Sequence, residues 1–285
     1  MDKNSWGTLY ICATPIGNLG DITLRVLETL KNVECIAAED TRHTLKLLNR
    51  YEIKKRLISC HEHNEKERLS ELIALLKDGA DIALVTDAGM PAISDPGSQV
   101  ISECIREGIA VTVCPGANAA VTALVLSGLE TGRYVFEGFL PRKVKERRGR
   151  IEALINEART AVLYEAPHRI KKTLAELCAI LGNRRIAIAR ELTKIHEEVI
   201  RTTLSEAVGI FSERDARGEY VIVIEGADET ARRKTDDLSG VTVQEHVSRC
   251  ISEGLSEMDA IKKAAKDRNV PKRVIYEAVK LKCKM

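Results

Sequence analysis

The sequence predicts an α/β protein of two α/β units, a mostly parallel first sheet and a mixed second one, with a small helical domain after them. Three observations predict this. Up to about residue 130, short apolar runs alternate with amphipathic helical patterns, as in βαβ units. After Gly132 strand-like runs stand closer together. After residue 240 only helical patterns remain.

Taken in order, TLYICAT (from Thr8) is a strand, PIGNLGD its turn, and LRVLETL a helix. VECIAAED and LISC are the next strands. Leu69, Leu72, Ile73 and Leu76 mark one face of a helix that stops near Gly79. DIALVTD is a strand. In SDPGSQVISECIREG, Ser94 or Asp95 suits a helix cap and Pro96 a first helical position, with Gly108 closing the helix. IAVTVCPG and ANAAVTALVLSG are the next strand and helix. RYVFEGFL, TAVLYEA, RRIAIAREL, EEVIRTT and GEYVIVIEG are five further strands, with PHRIKKTLAELCAIL helical between them. A polar stretch, GADETARRKTDDLSG, precedes VQEHVSRCISEG, SEMDAIKKAAKDR and PKRVIYEAVKLK, the last two joined by a short turn in a helix-turn-helix pattern. The expected division is 1–130, 131–227, a linker over 228–240, and a basic helical domain over 241–285.

The totals exclude several classes. The 285 residues are 44% hydrophobic and 30% charged, the balance of a folded soluble chain rather than a disordered one. The net charge is only +2, but the residues from Val241 onward hold ten Lys and Arg against six Asp and Glu, so the positive charge sits in the tail. Eight cysteines are scattered without a CxxC pair, which fits a reduced, cytoplasmic setting better than zinc or thiol chemistry. The N-terminal stretch lacks the basic start and apolar core of a signal peptide, and no apolar run is long enough to span a membrane.

Ligands of open α/β sheets bind outside the carboxyl ends of the strands. Three turns occupy such ends: TPIGN, TDAGMPAISDPG and CPGANAA. Glycine lets backbone approach a ligand closely, and Asp87 at a strand tip can accept from hydroxyls or an ammonium group. No GxxxxGK[ST] occurs, PIGNLG lacks the first glycine of a dinucleotide fingerprint, and HEHN (61–64) offers a poor helical metal pair, so no metal is expected.

DAGMPAISDPG, together with ATPIGNLGDIT, AAEDTRHTLKLL, CHEHNE, CPGAN, YEAPHRI and ARELTKIHEE, resembles the ribosomal RNA small subunit methyltransferase I family, which is similar in fold to the tetrapyrrole methylases. The resemblance runs from about Leu9 to Gly226 and includes the tail. It implies a tetrapyrrole methylase-like fold with S-adenosylmethionine in the cleft between the two α/β domains, a homodimer, and 2′-O-methylation of a decoding-region cytidine in 16S rRNA within the small subunit. Carried onto this sequence, it implies cofactor contacts at Pro15, Asp87, Met90, Ile93, Asn118, Ala119, Ala166 and Glu219.

On the acceptor side stand Glu39, Asp40, Arg42 and Glu191. Asp40 or Glu191 could take the hydroxyl proton, and Arg42 could hold a phosphate. A structural ion pair such as Arg42–Glu191 is the equal alternative. For RNA, PRKVKERRGR supplies Arg142, Lys143, Lys145, Arg147 and Arg148, and the tail adds Lys262, Lys263, Lys266, Lys272 and Arg273. Aromatic residues are 4% of the chain, too few for a stacking platform, so recognition of a folded surface through shape and phosphates is expected. A tetrapyrrole methylase, diphthine synthase and a noncatalytic RNA-binding factor are the alternative readings. The AEDTR and HEHN blocks count against the first two, and the intact Asp87 turn against the third.

Overall fold

The computed structural model describes residues 5–61, 64–228, 240–252, 254–268 and 270–280. Glu62 and His63 of HEHN, most of the expected linker, the end of the last tail helix and the side chain of Lys266 lie outside the described residues. The chain divides into two compact units, Met1–Gly226 and Ala227–Met285.

All ten sequence-predicted strands form. In the first unit β1 (Thr8–Cys12), β2 (Cys35–Ala38), β3 (Arg56–Ser59), β4 (Ile82–Val85) and β5 (Ala110–Cys114) make one sheet in the order β3-β2-β4-β1-β5. Every pairing in it is parallel. The strands β2 and β4 are apolar on both faces because helices cover both. On one face Leu9, Ile11, Ala37 and Leu84 meet Leu72 and Leu76 of α3 (Glu65–Lys77) and Val100 and Cys104 of α4 (Ser98–Glu107). On the other, Ile36, Ala38 and Val85 meet Val26 and Leu30 of α1 (Leu24–Asn32) and Leu48 of α2 (Thr41–Arg50).

The second sheet is mixed. It holds β6 (Tyr134–Phe139), β7 (Thr160–Glu165), β8 (Arg185–Arg190), β9 (Glu198–Thr203) and β10 (Tyr220–Ile224) in the order β6-β7-β10-β8-β9. Of its neighbour pairings only β6–β7 is parallel, and the other three are antiparallel. Along β10, Tyr220, Ile222 and Ile224 face α7 (Ile170–Leu181) and α8 (Leu204–Glu213), while Val221 and Val223 face α5 (Ala119–Ser127), the alternation a strand dictates. Although α5 follows the last strand of the first sheet, it packs on the second. Ala120, Ala123 and Leu124 close against Val162, Ala187 and Val223. This helix joins the two sheets into one unit.

The helix after SDPG begins later than its sequence suggests. Neither Ser94 nor Asp95 caps it and Pro96 is not its first residue; the chain enters at Gly97 (φ 122°) and the helix starts at Ser98. The reason is a long-range cap. Glu65 Oε1, at the start of α3, accepts from the amides of Gly97 (3.1 Å), Gln99 (3.1 Å) and Val100 (3.4 Å). A carboxylate at a helix N-terminus satisfies donors that have no partner within the helix and meets the positive end of its dipole.

HEHN also has a local role. The Asn64 side chain accepts from His61 N (2.7 Å) and donates to Ser59 O (3.2 Å), folding the turn into α3.

In the second unit, helices Val243–Ser252, Glu257–Asp267 and Lys272–Lys280 surround Val247, Cys250, Ala260, Ile261, Ala264 and Ile275. Arg268 Nε donates to Nδ1 of the buried His246 (3.2 Å), and Gln244 donates to Ala278 O (2.7 Å). No helix among the described residues is long and apolar enough to cross a membrane.

Candidate functional site

The three strand-tip turns meet. Thr14 and Gly89 exchange both backbone hydrogen bonds (2.9 and 3.0 Å), and Thr14 Oγ1 donates to Thr86 O (3.0 Å), tying the turn after β1 to the turn after β4. The third turn ends at Asn118, whose side chain accepts from Val121 N (3.0 Å) and caps α5. Tyr164 OH accepts from Ala120 N (3.1 Å), so a residue of the second sheet reaches the same helix end.

Two further contacts bring the sheets together. Thr193 Oγ1 accepts from Asn18 N (3.0 Å). Gly17 lies so close to the 191–194 segment that a Cβ there would sit 2.5 Å from Lys194 Cγ and 2.9 Å from Leu192 O. Only glycine fits that approach.

These elements enclose a cavity of about 410 Å³. Asp87, Met90, Ile93, Asn118, Ala119, Glu191 and Glu219 line it, as do Glu39 and Asp95. Of the predicted cofactor residues, two stand elsewhere. Pro15 is buried and lines a second, adjoining cavity, and Ala166 lines neither, whereas Tyr164, two residues before it, lines the first.

Among the described residues, the first cavity holds five carboxylates against a single cation, Lys194. Its anionic wall is braced. Glu39 Oε2 accepts from Thr86 Oγ1 (2.6 Å), and Asp87 Oδ1 accepts from Asp40 N (3.2 Å). Burial, then the charges of Glu39 and Glu219, push the Asp95 carboxyl up to about 7, with a hydrogen bond to Thr86 opposing them. Burial and Glu39 also raise Asp87, while the Asp40 amide and His43 draw it down. A site that strains its own carboxylates toward protonation is suited to a cationic ligand.

Backbone strain gathers here as well. Ala92, Ser94, Glu191 and Thr193 all have φ between 52° and 67°, a region that non-glycine residues seldom occupy. Ser94 and Glu191 line the cavity.

The acceptor-side residues are not brought together as their sequence neighbourhood suggests. Arg42 does not pair with Glu191. It forks onto Asp40 (Nε–Oδ1 3.0 Å, Nη2–Oδ2 2.7 Å), and Glu191 pairs with Lys194 (3.1 Å). Asp40 also caps α2 through Arg42 N (2.8 Å), and together these bonds hold its carboxyl well below the usual range. That makes it a poor proton acceptor.

The basic run after β6 is a helix, α6 (Val144–Ala153), and most of its charge is matched. Arg147 is the clear departure from expectation. Its side chain is only 4% exposed and pairs with Glu176, so it supports the fold and is not an RNA contact. Lys143 pairs with Glu146 and Arg148 with Glu152; Arg142 and Lys145 stay exposed. In the tail, Lys262 pairs with Asp259 and Arg273 with Glu277, while Lys263 and Lys272 are exposed. Such surface pairs are weak enough to open for a phosphate.

Asp95, Tyr164, Lys194 and Gly218 are site residues that sequence reasoning misses. Asp95, Tyr164 and Lys194 lie within DAGMPAISDPG, YEAPHRI and ARELTKIHEE, and Asp95 reads there as a cap. Gly218 (φ 72°) faces Glu191, since a Cβ there would lie 2.3 Å from Glu191 Oε1. Nothing local marks that approach.

The profile of the Tetrapyrrole (Corrin/Porphyrin) Methylases matches residues 8–208. The chain is 48% identical over 281 residues to "Ribosomal RNA small subunit methyltransferase I" of Bacillus subtilis, covering 98% of this chain and 96% of that protein. The chain belongs to the ribosomal RNA small subunit methyltransferase I family of tetrapyrrole methylases. The namesake from Thermotoga maritima is 48% identical over 222 residues, 78% of this chain and all of that one. Among solved structures, cobalt precorrin-4 methyltransferase superposes with a TM-score of 0.58 at 18% identity, covering 76% of this chain and 94% of that one. Diphthine synthase superposes at 0.59 with 16% identity, covering 77% and 90%. These neighbours share the two-sheet fold that forms the cavity.

Proposed function

We propose that the protein transfers a methyl group from S-adenosylmethionine to a ribose 2′-hydroxyl of a decoding-region cytidine in 16S rRNA, acting on the small ribosomal subunit in the cytoplasm. The observation that carries this reading is the acidic cavity at the joined strand tips. S-Adenosylmethionine brings an ammonium and a sulfonium charge, and five carboxylates against one lysine suit both. A volume of about 410 Å³ is within the range of small-molecule sites.

The residues divide the task by chemistry. Asp87 suits hydroxyls or the ammonium group at the first sheet's tip. The capped start of α5 at Asn118 and Ala119 presents small side chains and backbone to a flat ring, with Met90 and Ile93 as apolar walls. Glu219 and Tyr164 close the second sheet's side.

When bound, the cofactor supplies an electrophilic methyl on sulfur. Asp87, Asn118, Ala119 and Glu219 would hold it, and its sulfur would leave neutral as the ribose oxygen took the methyl. The hydroxyl proton must leave, and Glu191, held beside Lys194 on a strained backbone, is the proton acceptor this reading favours over Asp40. Catalysis is otherwise placement of two groups in line.

The reading includes a homodimer, in which a second copy would cover exposed apolar residues such as Leu24 and Val125. The test offers labelled cofactor to small subunits lacking their modifications, with a tetrapyrrole precursor alongside. Label on a cytidine ribose is the expected result; label on a base or only on the tetrapyrrole overturns the reading.

A further inference from the structure

The second cavity, about 440 Å³, adjoins the first and shares Ile16, Asp87, Ala88 and Lys194 with it. The two chambers differ in charge. The first is acidic. The second is lined by His43, Lys46 and Lys194 against Asp87 alone among the described residues.

The basic side comes from one helix face. His43 and Lys46 are three residues apart on α2, and Arg50 follows four residues later on the same exposed face. Neither His43 nor Lys46 is spent on an ion pair among the described residues, in contrast to the matched charges of α6. The apolar Ile16, Leu19 and Leu47 also line the chamber, and the Leu19 turn is pinned by Tyr51 OH donating to Leu19 O (2.6 Å). Ile16 and Leu19 give the chamber apolar lining, Lys46, Lys194 and the imidazole of His43 give it basic lining, and Asp87 and Lys194 line both chambers.

We propose that this second cavity takes one nucleotide of the RNA strand, with its base against Ile16 and Leu19 and its flanking phosphates on His43 and Lys46. The inference rests on the methyl-transfer reading above and names the acceptor chamber that reading leaves open. A nucleotide seated there puts its ribose at the shared wall, beside the donor chamber. Cations that hold phosphates position the strand without reading its sequence, so their removal weakens acceptor binding and lowers its salt dependence.

The test uses the full chain, small subunits lacking their modifications and S-adenosylmethionine. Lys46→Glu and the double variant His43→Gln/Lys46→Ala alter only exposed side chains. Expected are an increase of at least about tenfold in KM for subunits, unchanged S-adenosylmethionine affinity by calorimetry, and recovery in Lys46→Arg. In the double variant the slope of subunit affinity against salt falls by roughly 0.7 for each phosphate no longer neutralised. An unchanged KM and salt slope in both variants overturns the proposal, as does an equal loss of cofactor affinity. The proposed function fails separately, when the unaltered protein methylates no subunit. Cytidine 3′,5′-bisphosphate binding then decides the chamber, with binding by the unaltered protein and loss in Lys46→Glu expected, and no binding, or equal binding by both, overturning it.

Discussion

Glu65 Oε1 accepts the amide hydrogen of Gly97 at 3.1 Å, fixing the end of the DAGMPAISDPG turn to the start of α3. The same oxygen serves Gln99 and Val100, and Glu65 is 4% exposed. Glu65→Ala therefore leaves amides at a buried helix start without their acceptor. We expect a loss of about 2–4 kcal/mol, read as a lowered midpoint in urea unfolding. Glu65→Gln, which keeps an acceptor without the charge, should recover part of it.

Asp87 lies on the wall common to both chambers, and Asp87→Ala should weaken S-adenosylmethionine binding at least about tenfold while far-ultraviolet circular dichroism stays unchanged. Calorimetric affinity equal to that of the unaltered protein would remove Asp87 from the cofactor contacts.

Asp95 gives the protein a pH dependence of definite sign. Its carboxyl ionises at about 7 in the fold against an ordinary 3.8, pushed up by burial and by Glu39, Glu219 and Asp87. The folded state thus keeps a proton that the unfolded chain has released, so this group's contribution to stability is full below the ordinary value and lost as pH rises through 7. Between pH 5 and 8 the unaltered protein should lose more stability than Asp95→Asn. A cationic donor favours the ionised carboxyl, so S-adenosylmethionine affinity should climb from pH 6 to 8, and the climb should flatten in the variant. Parallel profiles in the two proteins would count against Asp95.

Arg147 separates structural from RNA-facing charge. Arg147→Met removes the partner of Glu176 and the packing of a nearly buried side chain, at an expected cost of about 2 kcal/mol in urea unfolding. The KM for subunits should not move. Arg142→Ala, on the exposed entry to α6, should do the reverse.

Much of this molecule is legible because period and punctuation are local. Ten strands announce themselves as short apolar runs, most of them ending at Gly, Pro or Asp, and the strand-tip rule picks out Asp87 and Asn118, which line the first cavity. Side chains reaching across the fold are not legible. The sequence offers Asp95 as a cap because Asp-Pro-Gly is good helix-start chemistry, but Glu65, 32 residues before Gly97, takes that role and leaves Asp95 to the cavity.

By itself, then, the sequence determined which segments are strands and helices, where the turns fall, and which family of sites they build. Hydrophobic periodicity and turn residues act over a few positions and do not depend on the rest of the chain. The tertiary structure decided the pairing of charges. It gave Arg42 to Asp40 and Lys194 to Glu191, buried Arg147 against Glu176, and set His43 and Lys46 beside a cavity. Charge pairing depends on distances between residues far apart in the chain, and only packing sets those distances.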